Sequence, residues 1–476
     1  MNGRKKQPEG IKSILRAAEG TAQMAAFVLL YYIVWRNGYE RGVFPSYFGM
    51  GKYVLAGVYA LLAVVGFRSF DGFKFGYLKL SDVLVSQWIA MLLVNFITYW
   101  QLCLIANVMI TPVPMLILSV LDMAVSLICC TVYTWVYHRV YTPKNMIMIY
   151  GREDAVVLKF KMDSRSDKYR VTRLVSEDEG LETILELLPG FDAVILNDVS
   201  AHLRNEVLKF CYGHRIRTYL TPKLSDIIVR GGTEINLFDT PLLLVKGKGL
   251  TPLQRGMKRC MDIGITLIAM IPAAPIMLAV AAAIKLEDGG PVLFRQKRAT
   301  IGGREFEILK FRSMIVDAEK DGAPRPATDN DPRITRVGKF IRATRLDELP
   351  QLLNILKGDM SIVGPRPERV EHMEAYSREI PEFPFRLKVK GGLTGYAQIY
   401  GKYNTSPYDK LRLDLMYIEN YSLLLDIRLI LMTLRILLKK DSTEGFDKAE
   451  ELERLTEQMM ENQQGTEEER ESVGIH

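Results

Sequence analysis

Two adjacent acids, Asp347 and Glu348, stand in the stretch RLDELPQLLNILKGDMSIVGPRPE, residues 345–368, with Arg342 and Arg345 just before them and Arg366 held between two prolines after them. Adjacent carboxylates repel, so a surrounding of arginines points to an anionic partner that both charges handle. An ionised Asp can act as a covalent nucleophile toward phosphorus. Guanidinium forks suit phosphate oxygens, and a Mg²⁺ ion held by Asp347 and Glu348 would neutralise a diphosphate target further. Lys310 and Arg312 close a basic stretch, with Arg295, Lys297, Arg298 and Arg304, that directly follows an apolar helix, where anionic phosphates of lipid or nucleotide would be found. ATP chemistry has no support, because neither a Walker A motif nor the kinase glycine-loop set occurs. With five histidines and no HExxH, a metalloprotease reading fails as well.

The acids need a rigid seat. Leu349, Leu352, Leu353 and Leu356 recur at i, i+3, i+4 and i+7, which predicts a helix with one buried stripe. Pro350 is tolerated only in a first turn and Gly358 marks an end, so Asp347 and Glu348 are expected at the positive N-terminus of that helix.

Around this stretch the 476-residue chain is 48% hydrophobic with a net charge of +7. Roughly a dozen acids and about three bases in 441–476 leave the body strongly basic, which suits anionic lipid and phosphorylated substrates. No nucleic acid partner is expected, since no zinc-finger, RRM or homeodomain pattern appears. The five cysteines lack metal-ligand spacing and fit a reducing compartment.

Four apolar segments, 17–36, 50–67, 82–106 and 115–137, approach or exceed the length that crosses a bilayer. Lysines and arginines before the first span, between the second and third, and after the fourth place both ends of this unit on the cytoplasmic face. From 145 onward short strands (145–151, 169–175, 192–198, 217–222 and 241–245) alternate with helical stretches, predicting a parallel sheet of Rossmann type. Its first turn, YGREDAV, lacks the glycine fingerprint, and Glu153 and Asp154 would repel a pyrophosphate, so the domain is read as degenerate.

The apolar run in 257–291 starts with Lys258 and Arg259, ends at Lys285, and contains Pro272 and Pro275. Those prolines should bend the helix, so that it enters and leaves one leaflet as a re-entrant hairpin; a kinked crossing is the alternative. The segment 423–440 reads equally as an interfacial or a core helix.

From about 255 to 438 the chain resembles the bacterial sugar transferases, the monotopic polyprenyl-phosphate phosphoglycosyl transferases. The residues carrying the resemblance are KRCMDI, the proline-broken membrane helix, GPVLFRQKR, KFRSM, RLDELPQLLNILKGDMSIVGPRPE, KGGLTGYAQIYG and YIENYSLLLDI. The resemblance implies that Asp347 is the nucleophile and Glu348 its partner acid, and it places Arg342 and Arg366 at basic motif positions. Pro272 or Pro275 matches the helix breaker, although Ile-Pro and Ala-Pro replace the usual Ser-Pro. Thr300 stands where glycine is common.

The expected architecture is therefore an α/β membrane protein. It comprises a four-helix transmembrane bundle (1–142), a Rossmann-like domain (143–247), an α+β catalytic domain with a re-entrant membrane helix (248–440), and an acidic tail (441–476). The resemblance further implies transfer of hexose-1-phosphate, galactose or glucose first, from a UDP-sugar to undecaprenyl phosphate with release of UMP, at the cytoplasmic face of the bacterial inner membrane. A homodimer is expected. Two rivals are a transporter, against which the spans carry hardly any ionisable residue besides Asp122, and a regulatory protein with an inactive transferase domain.

Overall fold

The computed structural model describes residues 9–40, 49–151, 155–237, 239–247, 249–316, 331–401 and 405–437. Glu153, Asp154 and the acidic tail lie outside them. The chain divides into two compact units, Met1–Leu220 and Thr221–His476.

The first unit opens with four long helices, α1 (Glu9–Trp35, continued by a π-helical turn Arg36–Glu40), α2 (Gly51–Ser69), α3 (Leu80–Ala106) and α4 (Val113–Val140). All four are long and apolar enough to cross a membrane. Their packing is polar at its centre. Tyr59 donates to Asn95 and Asp122, Asn95 donates to Asp122 and Ser119, and Gln23 bonds Gln87, so four helix pairs are joined by hydrogen bonds. Tyr31 stacks on Tyr59 at 4.2 Å. Asp122 is fully buried among these partners.

Beyond them lies the predicted alternation: β1 (Lys144–Tyr150), α5 (Ala155–Asp163), β2 (Tyr169–Ser176), α6 (Leu181–Leu187), β3 (Ala193–Asn197), α7 (Ala201–Gly213) and β4 (Arg217–Leu220). The four strands are parallel in the order β2-β1-β3-β4, a doubly wound arrangement whose binding crevice lies at the β1/β3 carboxyl ends. There the space beside Gly151 is taken by the chain itself. A Cβ at Gly151 would lie 2.7 Å from the Glu177 carboxylate, which accepts a 2.6 Å bond from Ser200 N at the start of α7. A carboxylate of the protein thus fills the space at the carboxyl ends of β1 and β3 and bonds the first amide ahead of α7.

The fifth expected strand corrects the sequence reading. Residues 242–244 (β6) leave the parallel sheet and pair antiparallel with β5 (Thr233–Ile235). The helix that would return the chain to the sheet, α8 (Leu224–Arg230), instead commits Leu224 and Ile227 to the core of the second unit. Without a crossover, only a hairpin is open to the strand.

The second unit is built on α9 (Pro252–Asp288), capped at its start by Thr251 and Gln254 in a reciprocal capping box. There follow β7 (Leu293–Ala299), β8 (Glu305–Phe311), α10 (Arg336–Ala343), α11 (Gln351–Lys357), β9 (Ser361–Val363), α12 (Val370–Glu379), β10 (Gly392–Thr394), α13 (Tyr396–Tyr400), α14 (Pro407–Glu419) and α15 (Leu423–Leu437). The helix α9 is continuous through Pro272 and Pro275, so the prolines remove hydrogen bonds without ending it. Its buried residues, Lys258, Asp262, Thr266, Ala273, Val280 and Ile284, form one stripe along the whole length, while Leu267, Ile268, Ile271 and Leu278 are exposed. Both ends are fastened to the same body. Near the start Asp262 accepts from Ser361 Oγ and Ile362 N, and Arg259 donates to the carbonyls of Ile355 and Leu356. At the end Glu287 accepts from the first amides of α10, and Asp288 pairs with Arg312. In the helix α15, Asp426, Leu429 and Met432 are buried, and Leu424, Ile427 and Leu434 are exposed.

Candidate active site

Asp347 and Glu348 lie on a short 3₁₀ turn, Leu346–Glu348, one turn ahead of α11 rather than inside it. The turn follows Arg345, whose φ of 55° is left-handed, a strained conformation for a residue with a side chain. That reversal separates the end of α10 from the turn that carries the acids. The buried face of α11 also differs from the expected leucine stripe: Leu352 and Ile355 are buried, while Leu353 is exposed. The cause is Asn354, buried on a helix of only seven residues. Its carboxamide accepts from Leu309 N and donates to Glu307 O, fixing α11 against the backbone of β8. A polar residue inside a leucine-rich helix was the available signal for it.

That contact registers Lys310 on β8 against the acids. Lys310 Nζ donates to Glu348 Oε1 at 3.0 Å, and Arg366 Nη2 donates to the same oxygen at 3.0 Å. Burial disfavours ionisation of Glu348, but Arg366 and Lys310 outweigh it and hold the carboxyl below its ordinary value. Lys310 is pushed down by burial and by Arg366, with Glu348 opposing. Asp347 differs sharply from its neighbour. Among the described residues it forms no ion pair and no side-chain hydrogen bond with another side chain. Burial raises its pKa, and Lys310 and Arg342 act against the rise. One acid is therefore clamped and the other is available.

The loop carrying Arg366 is held from behind. Arg298 donates to Pro367 O and the buried Arg386 to Arg366 O. Arg386 is in turn paired with Asp414 at 2.7 Å and Glu368 at 3.5 Å. The glycines of GGLTG serve the same loop: a Cβ on Gly392 would lie 2.1 Å from Gly364 N, so β9 and β10 meet backbone to backbone. Neither Arg298 nor Arg386 was singled out from the sequence, because each acts on a backbone carbonyl distant in the chain.

Arg312 takes a different place from the one expected. It is buried against Asp288 and Pro291 O beneath the end of α9, where it fastens the helix. Arg342 faces Asp347 through space without a hydrogen bond to it. On the hairpin, Arg295 and Lys297 pair with Glu307 and Glu305, so that much of the basic stretch is neutralised across the strands. Thr300 fits where glycine is common: its φ of −128° needs no glycine, and its hydroxyl donates to Asp359 O while accepting from Gly391 N.

For a divalent cation the site offers both oxygens of Asp347 and the Glu348 oxygen that accepts neither clamp bond. Among the described residues no group of three His, Cys, Asp or Glu side chains could hold a metal. Two carboxylates fit Mg²⁺ in the manner of sites that complete their coordination with substrate phosphate.

A carboxylate left available beside a second acid fixed by two cations, over an exposed apolar helix, is the equipment of a group-transfer enzyme acting at a lipid surface. Residues 253–440 match the bacterial sugar transferase family. The chain is 36% identical over 321 residues to the UDP-N-acetylgalactosamine-undecaprenyl-phosphate N-acetylgalactosaminephosphotransferase of Aeromonas hydrophila, covering 66% of this chain and 71% of that relative. It is 41% identical over 210 residues to the UDP-glucose:undecaprenyl-phosphate glucose-1-phosphate transferase of Escherichia coli K12, covering 43% of each chain. It is 52% identical over 130 residues to a putative undecaprenyl-phosphate N-acetylgalactosaminyl 1-phosphate transferase of Bacillus subtilis 168, covering 27% of this chain and 72% of that relative. The chain belongs to the bacterial sugar transferase family.

Proposed function

We propose that this protein transfers a hexose-1-phosphate, from a UDP-hexose such as UDP-glucose or UDP-galactose, to undecaprenyl phosphate, the first step of an exopolysaccharide, capsule or O-antigen pathway. The observation that carries the reading is the asymmetry of the acid pair: Glu348 is clamped by Lys310 and Arg366, while Asp347 forms no ion pair among the described residues. An Asp347 oxygen attacks the β-phosphorus of the donor. The bond from that phosphorus to the bridging oxygen breaks, and UMP departs with the electron pair. A phosphate oxygen of the lipid then attacks the same phosphorus and releases Asp347 as a carboxylate. Lys310, Arg342 and Arg366 offset charge on the transferring phosphoryl group. Mg²⁺, held by Asp347 and Glu348 together with the diphosphate, would supply further charge neutralisation.

Membrane placement follows the same logic. Both ends of α9 are tied to one body, which supports entry and exit on one leaflet with the catalytic unit on the cytoplasmic side, where UDP-sugars are found. The hydrogen-bonded Tyr59–Asn95–Asp122 contact, in which Tyr59 and Asn95 both donate to Asp122 Oδ2, favours a structural role for Asp122 over a translocation path. UMP release from a panel of UDP-sugars, with Mg²⁺ and undecaprenyl phosphate, tests the proposal. Lipid-dependent release that Asp347→Asn abolishes is the expected result, and activity retained in that variant would overturn it.

A further inference from the structure

A cavity of about 270 Å³ lies in the first unit, well away from the acid pair in sequence and lined only by residues between Phe75 and Asp167. It sits where the start of α3 and the end of α4 meet the 70–79 loop and the 164–167 turn. In volume it falls just below the usual range of small-molecule pockets. Its wall is aromatic and apolar: Phe75, Val83, Tyr133 and Tyr137 are buried, with Phe75 packed 5.1 Å from Tyr133. Gly76, at a φ of 69°, keeps one side open, since a Cβ there would stand 3.4 Å from the Tyr133 hydroxyl and 3.3 Å from the Tyr137 ring.

The rim is basic. Arg165 is consumed by Asp167 and the Tyr77 carbonyl, which makes it a strut rather than a ligand group. Lys79 and His138 line the same cavity, and among the described residues neither has an ion-pair partner. Lys168 and Arg16 lie over the Tyr77 ring, at 4.3 and 5.0 Å, so further basic side chains stand on this side. The level is that of the membrane surface. The cavity joins the ends of two candidate spans, and Arg139 stacks on the exposed Trp135 at 4.1 Å nearby, a pairing suited to the interface between water and lipid.

We propose that this cavity binds the phosphate headgroup of a membrane lipid, with Lys79 and His138 on the phosphate and the aromatic wall against the first carbons of the lipid. A basic pocket between membrane helices at the cytoplasmic surface suits such a ligand, whereas a zwitterionic headgroup would set its own cation against Lys79. A glycerophospholipid and a polyprenyl phosphate both offer this chemistry.

The test uses the full chain purified in an uncharged detergent, with bound lipid counted by native mass spectrometry. Phosphatidylglycerol, phosphatidylcholine and polyprenyl phosphate are titrated in separate arms. Phosphatidylglycerol should bind roughly tenfold more tightly than phosphatidylcholine, a difference of about 1.4 kcal/mol. Lys79→Gln with His138→Gln should erase that preference, and both positions are exposed, so the variant should fold. Thr134→Phe, which fills the cavity and keeps every charge, should also erase it, while Lys209→Gln on α7 should not. Tighter, rim-dependent binding of polyprenyl phosphate would support the site and name the substrate lipid as its occupant. Equal binding of the two phospholipids, or phosphatidylglycerol binding unchanged in the rim variant, would overturn the proposal.

Discussion

Replacing Glu348 by Gln keeps the shape of the clamp and removes its charge. One oxygen of Glu348 takes both cations at 3.0 Å. At an effective dielectric of ~20 a single pair at that distance gives about 5 kcal/mol before desolvation is set against it. Lys310 is 21% exposed and Glu348 15%, so their pair keeps a net of about 2 kcal/mol, whereas Arg366, 44% exposed, adds no more than about 1 kcal/mol after screening. Without the charge, Lys310 and Arg366 repel each other beside Asp347. The expected loss of about 2–3 kcal/mol in transition-state stabilisation is roughly a 30- to 150-fold fall in kcat/KM for UMP release. The pH profile gives a second reading. Glu348 raises both Lys310 and Asp347; its removal lowers both, so each limb of the bell should move to lower pH. A variant within threefold of wild type, or limbs that stay in place or move upward, would refute the clamp.

Asp347→Asn should lower UMP release by about a thousandfold or more with little change in melting temperature, because among the described residues its carboxylate forms no ion pair and no hydrogen bond with another side chain. Asn354→Ala leaves Leu309 N and Glu307 O without partners and should cost about 2–4 kcal/mol of stability in denaturant titration. Thr300→Val removes a buried acceptor for Gly391 N and should cost about 1–2 kcal/mol, read as a lower melting temperature. Asp414 is raised to about 6, because burial outweighs Arg386. The unfolded chain therefore loses this proton first, and the contribution of the group to stability falls as pH rises from about 4 to about 6. Melting curves across that window should lose this slope in Asp414→Asn.

Much of the architecture was legible along the chain. Four apolar runs of crossing length became α1–α4, and four of the five alternating strands formed one parallel sheet, because run length and periodicity are properties of neighbouring residues. The run 241–245 has the composition of a sheet strand, yet the commitment of α8 to another core decided its pairing. The continuity of α9 through two prolines was equally unreadable, since a segment held along one face stays helical despite lost hydrogen bonds.

The sequence by itself determined that two acids stand among arginines, a surrounding that points to an anionic partner. Only the tertiary structure decided which acid is available. The contacts that clamp Glu348 come from residues 38 positions upstream and 18 downstream, and Arg312, two residues from Lys310, was diverted to Asp288. Charge pairing depends on distance in space and on what burial leaves unscreened. Neither quantity is written in the spacing of residues along the chain, so composition named the participants and packing assigned their roles.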